Sequence, residues 1–311
     1  MSQANWIKAA IAAGNEFHFN KKKPALHNAL NLSVLALLLL ATVGTVLVAP
    51  RIPAVLFIPT AGFILGVLFF SMIILVIHEG SHGMFVITRA RAQFWNRVFG
   101  WAISAPFAIN YIEHWETGHH THHLHPGESD DPQVFNFLTG RELALMLVKM
   151  VCIPGYVFFW NPSRQYKTGG WLGPVSLVFW LTAAWTTWTF LSWTVAPALL
   201  LGLQVLGALN QLKGSLEHGG GIIREENRNL RSRTSFFPLR WLVMPLNISL
   251  HFEHHLNYCV PWYDLHRYHR AILPVVPPLV AAELVHHSAW EQLMGRQGEL
   301  SSAARALTVR T

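Results

Sequence analysis

The stretch "GFILGVLFFSMIILVIHEGSH", Gly62–His82, carries both the membrane character and the chemistry of this chain. An uncharged apolar run ends in His78 and His82, one helical turn apart, with Glu79 between them. The letters satisfy H-E-x-x-H, in which two histidines hold a zinc and the glutamate serves a protease as general base. About 20 apolar residues span a bilayer. The run from Pro53 to Ile77 is longer than that, so its last turns are expected to project into water with the histidines on them.

Composition extends this reading to the whole chain. Of 311 residues 52% are apolar and only 13% charged, about half the charged share of a soluble domain. The thirteen tryptophans add to the signal, because tryptophan collects at membrane–water interfaces. Cys152 and Cys259 lie far apart and in no ligand spacing, so they read as apolar fillers rather than a disulfide or thiolate site. A net charge of +7 belongs on the cytoplasmic side of a membrane protein, facing anionic lipid or an acidic protein, with no nucleic acid partner implied. The first apolar run begins near Leu32 and a second follows it, so no signal peptide is read.

Between Pro24 and Ile77 the one charged residue is Arg51, in the turn "VAPRIPA". This predicts a helical hairpin, Leu32–Val48 and Pro53–Ile77. The charge-free block Gly169–Leu212 predicts a second hairpin, broken near "SWTVAP". Phe94–Ile112 and Leu143–Trp160 read as interfacial or re-entrant helices. The fold class is therefore all-α integral membrane: four transmembrane helices in two hairpins, with a cytoplasmic helical cap. Only Arg51 of the basic residues falls in an outer loop, so both termini are placed in the cytoplasm. One domain is expected over 1–311, with a surface-lying amphipathic helix within 1–23 (Trp6, Ile7, Ala10, Ile11, Phe17) and a frayed tail over 301–311.

The eighteen histidines fall into groups. After His78 and His82 comes "EHWETGHHTHHLH", then a lone His218, then "HFEHHL". His119, His122 and His123 stand at i, i+3, i+4, as do His251, His254 and His255. On a helix each triplet shares one face, and neutral imidazole suits iron, zinc, copper or nickel. With four spans all groups lie on one side of the membrane. Nine imidazoles exceed the four of a tetrahedral ion and suit a dimetal site with positions left for oxygen or water.

HxxxH, HxxHH, a separate histidine and a second HxxHH, set around two membrane hairpins, resemble the membrane fatty acid desaturase and hydroxylase superfamily. "HFEHHLNYCVPWYDLHRYHRAI" is similar to the closing segment of bacterial fatty acid desaturases, which implies a bacterial inner membrane. "ESDDPQVF" is similar to a segment of carotenoid ketolases and alkane hydroxylases. The resemblance implies two iron ions held by His78, His82, His119, His122, His123, His218, His251, His254 and His255. It implies O2 as co-substrate and oxidation of a long acyl or other apolar chain. Desaturation is favoured. Hydroxylation or ketolation of a carotenoid or alkane, and decarboxylation to a terminal alkene, stay open. A protease has no use for two HxxHH boxes. A histidine-rich metal transporter would carry ligands along a path inside the membrane, whereas these collect at helix ends and in loops.

A metal-bound imidazole needs its other nitrogen held. Glu79, Asp130, Asp131, Asn247 and Glu253 are the candidates for that role, with Glu113 and Glu217 beside them. His114, His120 and His125 read as surface or outer residues, and His18, His27, His266, His269, His286 and His287 as interfacial ones. No dinucleotide fingerprint and no haem or iron–sulfur cysteine set is present. The resemblance thus implies an external donor such as a ferredoxin or rubredoxin, and no bound haem, flavin or nicotinamide. The arginine-rich "REENRNLRSRTSFFPLR" reads as a docking surface for such a donor, as a headgroup contact, or as an ordinary positive-inside loop.

Overall fold

Helices dominate the computed structural model, which describes residues 5–156, 170–296 and 299–308. Among these residues three helical stretches are long and apolar enough to cross a membrane: Pro24–Arg51, Ala54–Ser81 and Val195–His218. The Leu172–Phe190 helix is 19 residues long but is not among them. Trp180, Thr182, Trp185, Thr186, Thr187, Trp188 and Thr189 hold its hydropathy down. Phe94–Ile112 contributes a 13-residue helix, Ala92–Ser104, and Leu143–Trp160 falls partly in another, Gly140–Cys152. At about 1.5 Å per residue both fall short of a bilayer core. Residues 157–160 of the second segment lie outside the described residues.

The chain forms two compact units: Pro24–Thr117 with Leu145–Asn210, and Met1–Lys23 with Gly118–Ala144 and Gln211–Thr311. Because the segments interleave, no linker in the sequence marks a boundary.

In the first of these, the long-helix unit, two helices bury polar residues and expose apolar ones. Pro24–Leu47 buries His27, Asn31 and Leu35, a stripe at four-residue spacing, while Leu26, Leu37, Leu40 and Val43 are exposed. Ala92–Ser104 buries Asn96, Gly100 and Ser104 and exposes Phe94, Trp95 and Val98. This inversion suits lipid, which solvates leucine and excludes unpaired amides. Gly62 and Gly66 stand four apart on the Ala54–Met72 helix. A Cβ on either would lie 2.6 Å from Leu201 or 2.4 Å from Val205, so the absent side chains let this helix approach the Val195–His218 helix closely.

The buried polar groups have a shared task. Residues 84–87 run without a strand partner directly after the first histidine box. Asn96 accepts from the Val86 N–H and donates to its carbonyl, at 3.0 and 2.8 Å. Asn28 does the same for Ile87, both at 2.9 Å. Asn31 donates to Met84 O and Phe85 O, and His27 Nε2 lies 2.6 Å from Met84 O. Side-chain amides thus do what a sheet would do for these backbone groups. His27, expected at the interface, is instead buried in this cluster.

The second, histidine-rich unit has an ordinary apolar core. Trp6, Ile7 and Ala10 of the Asn5–Gly14 helix join Phe252, Leu256, Leu265, Tyr268 and Ile272 in it. The N-terminal helix therefore spends its apolar face on protein rather than on the membrane surface. Its sequence pattern reports an apolar face but not what covers it. The described part of the tail after Ser301 is a short helix, Ser302–Ala306, with Ala304 buried in the same core. A two-residue parallel pairing of Thr234–Ser235 with Val285–His286 closes the unit.

Candidate metal centre

His78 and His82 stand at the end of the apolar helical stretch Ala54–Ser81. Ala54–Met72 continues into a π-helical turn, Ile73–His78, and then Glu79–Ser81. The wider turn re-phases everything after it, and the His78 and His82 rings meet edge-on with centroids 5.1 Å apart. Tyr111 secures the turn: its ring covers Gly100, where a Cβ would sit 2.3 Å away, and its hydroxyl faces Gly80. A second π turn, Tyr111–Thr117, precedes the second box. Hydrophobic periodicity carries no signal for either turn.

In the histidine-rich unit His122, His218, His251 and His255 converge. Each offers a nitrogen within 4.8 Å of the others, and all four are buried. His218 Nε2 and His251 Nε2 are 2.9 Å apart. The ring centroids of His122 and His251 stand 4.8 Å from that of His218. Burial holds the His251 and His255 imidazoles well below the usual histidine range, and neighbouring imidazoles push the same way. They are neutral, the form that binds metal.

His119, His123 and His254 form a second convergence in the same unit. His123 Nε2 lies 3.1 Å from both His119 Nε2 and His254 Nε2. Both triplets are helical, on Gly118–Leu124 and His251–Leu256, and each divides between the two convergences. At about 100° per residue, the i and i+4 positions of a helix differ by about 40°, whereas i+3 and i+4 differ by about 100°. His119 and His123 therefore go one way and His122 the other. In the third box His251 and His255 stay together and His254 crosses over.

The outer nitrogens show how the rings are held. His122 Nδ1 lies 3.1 Å from both carboxylate oxygens of Asp131, which also accept from the Gly127 and Gln133 N–H groups. His218 Nδ1 reaches the Arg231 carbonyl at 2.7 Å. His251 Nδ1 stands 3.1 Å from Glu217, whose other oxygen accepts from Lys213. The Gln133 amide meets His119 Nδ1 at 2.8 Å. Gln133, the Arg231 carbonyl and Lys213 were not read from the sequence; only Lys213, four residues before Glu217 on a helix, left a visible trace.

Other candidates are placed elsewhere. Asp130 pairs with His125 at the surface. Glu253 takes His269 at 2.5 Å and the Thr234 hydroxyl instead of a box histidine, so His269 is a buried structural residue and not an interfacial one. Asn247 donates to Trp262 O rather than to His251, and its left-handed backbone turns it away. Glu79 Oε1 is 3.7 Å from His78 Nδ1, too far for a hydrogen bond. Glu113 and His120 are exposed, and His114 is half-buried.

The donor set fits a metal. Separations near 3 Å between imidazole nitrogens are what ligands about 2.1 Å from one ion show. His255 Nε2 is buried without a hydrogen-bond partner among the described residues, an arrangement that a bound cation relieves. Comparison with curated proteins and with solved structures gives no match. The model of the family described as fatty acid desaturase matches residues 53–286, a span that begins just before the first box and runs past the third. The chain belongs to the fatty acid desaturase family.

Proposed function

We propose that this protein is a membrane-bound di-iron oxidase that removes hydrogen from a long fatty acyl chain to form a double bond, using O2. The observation that carries the reading is the buried four-histidine convergence beside a three-histidine one, in a chain of this family. With His78 and His82 of the first box added, nine imidazoles hold two irons.

The irons, when bound, supply what an unactivated C–H bond requires, an O2-derived oxidant that no acid or base side chain provides. The protein's share is positioning. Asp131 holds His122 from behind, fixing ring orientation and raising ligand basicity, and the Glu217 carboxylate stands beside His251. Burial keeps the imidazoles neutral and excludes water.

Two further elements belong to the reading. Leu172–Phe190 is a fourth span: Val178, Leu181, Trp185 and Phe190 are all exposed, as lipid contact requires. The histidine-rich unit is the cytoplasmic cap, with both termini on that side of a bacterial inner membrane. An external one-electron donor of ferredoxin or rubredoxin type completes the cycle.

The test is lipid and hydrocarbon mass spectrometry of cells expressing the wild type and His254→Ala. Acyl chains two mass units lighter, made only by the wild type, establish desaturation. An added oxygen or a released alkene moves the reaction to hydroxylation, ketolation or decarboxylation. Full activity in His254→Ala sinks the site.

A further inference from the structure

Two arginines of "RNLRSR", residues 228–233, are turned toward the protein, Arg231 and Arg233, whereas Arg228 is exposed. Arg231 spends its guanidinium on three acceptors: Glu225 O at 2.6 Å, Pro126 O at 3.0 Å and the Glu128 carboxylate at 3.1 Å. Its own carbonyl takes His218 Nδ1. Arg233 is 1% exposed. Its backbone N–H bonds Glu217 O at 3.0 Å and its guanidinium bonds Gly219 O at 2.5 Å. His218, alone at the end of its helix, is thus gripped on its ring and on the residue to either side.

The same segment reaches the other ligands. The loop that Arg231 holds at Pro126 and Glu128 leads into Asp131, whose N–H bonds Glu128 O and whose carboxylate faces His122. Thr234, next after Arg233, forms a bridge with Leu250, which precedes His251. By contrast Arg224 is exposed and pairs with the exposed Glu299.

We infer that Arg231 and Arg233 are positioning residues of the four-histidine cluster: Arg231 sets His218 and the Asp131 loop behind His122, and Arg233 sets the backbone around His218. The inference rests on the reading of that cluster as an iron site. An arginine is needed at 231 because one planar fork serves acceptors in three directions, which a lysine ammonium on a flexible stem does not reproduce.

The experiment uses full-length protein purified in detergent and loaded with ferrous iron. It records iron per chain, the rate of iron release to a chelator, and the Mössbauer spectrum. Arg231→Gln and Arg233→Met, folded by circular dichroism and gel filtration, should release one iron at least about 10-fold faster, the usual scale for a lost outer partner. One of the two spectral components should shift, and Arg231→Lys should recover only part of the retention. Arg224→Gln should match the wild type in all three measurements. Folded Arg231→Gln and Arg233→Met variants with wild-type retention and spectrum overturn the inference, whatever their activity. If those two do not fold, Arg231→Lys and Arg233→Lys take their place under the same criteria. A wild type that binds no iron takes down the metal reading and this inference together, whereas iron-loaded but unperturbed variants remove the inference alone.

Discussion

The second and third histidine boxes have the same spacing and opposite allegiances. On Gly118–Leu124 the i and i+4 residues, His119 and His123, join the three-histidine convergence, and His122 leaves for the four-histidine one. On His251–Leu256 the pair His251 and His255 stays with the four, and His254 crosses to the three. Each box lends its i+3 residue to the other's pair. The lesson concerns helix geometry: HxxHH presents a pair about 40° apart and an outlier about 60° from one member and about 100° from the other, so two such helices brought together form two convergences rather than one.

That exchange is open to attack where it is most exposed. His122→Ala and His254→Ala should each reduce product at least about 100-fold, beyond the usual cost of an outer partner. The double variants separate the sets. His122→Ala with His251→Ala should lose little more iron than either alone, because both ligands serve one ion, whereas His122→Ala with His254→Ala should lose both ions. Iron per chain by mass spectrometry decides this, and equal losses in the two doubles contradict the exchange.

Asp131→Asn sharpens the comparison at the outer layer. It leaves every imidazole in place and removes only the carboxylate behind His122. Iron affinity should fall about 10- to 100-fold, read by competition with a chelator. A similar loss from Asp130→Asn, at a surface pair with His125, would contradict the assignment.

The metal-free protein should respond to pH through the four-histidine set. His251 and His255 take up protons well below the ordinary range in the folded state, so the unfolded chain binds protons first as pH falls through about 6.5. Stability is then fully present above that pH and declines below it, by up to about 1.4 kcal/mol per pH unit for each such residue. Thermal unfolding of chelator-treated protein between pH 7 and 5 measures the slope, and iron should not flatten it, because bound imidazoles stay neutral in the folded state while the unfolded chain still takes up protons. A midpoint independent of pH across that window contradicts the buried, neutral assignment.

A substitution in the long-helix unit tests the close helix packing there. Gly66→Val places side-chain atoms where Val205 already sits, an overpacking that costs about 1–3 kcal/mol. The thermal midpoint should drop while iron content stays near that of the wild type. An unchanged midpoint means that the two helices move apart at no cost.

Much of this was legible in the letters. The apolar runs, the Arg51 turn and the break near Ser192 announce long helices, because lipid tolerates only apolar, internally hydrogen-bonded segments. The i, i+3, i+4 triplets announce metal ligands, because no packing role asks for three imidazoles on one helical face. Asp131 could be listed as a partner from its place after the second box, but so could Asp130, its neighbour. Which carboxylate turned inward waited on a loop held by Gly127, Gln133 and Arg231.

Sequence by itself determined the long apolar helices and the spacing of the histidine boxes, since both follow from local rules: hydropathy over a span and angle around a helix. Tertiary structure decided the rest. It split each HxxHH box between two convergences, put a π turn into the approach to the first and second boxes, and turned Arg231 and Arg233 inward around His218 and its two neighbours. It also buried the N-terminal helix in protein. These outcomes depend on which elements meet, and a spacing pattern specifies what a residue offers without specifying what accepts it.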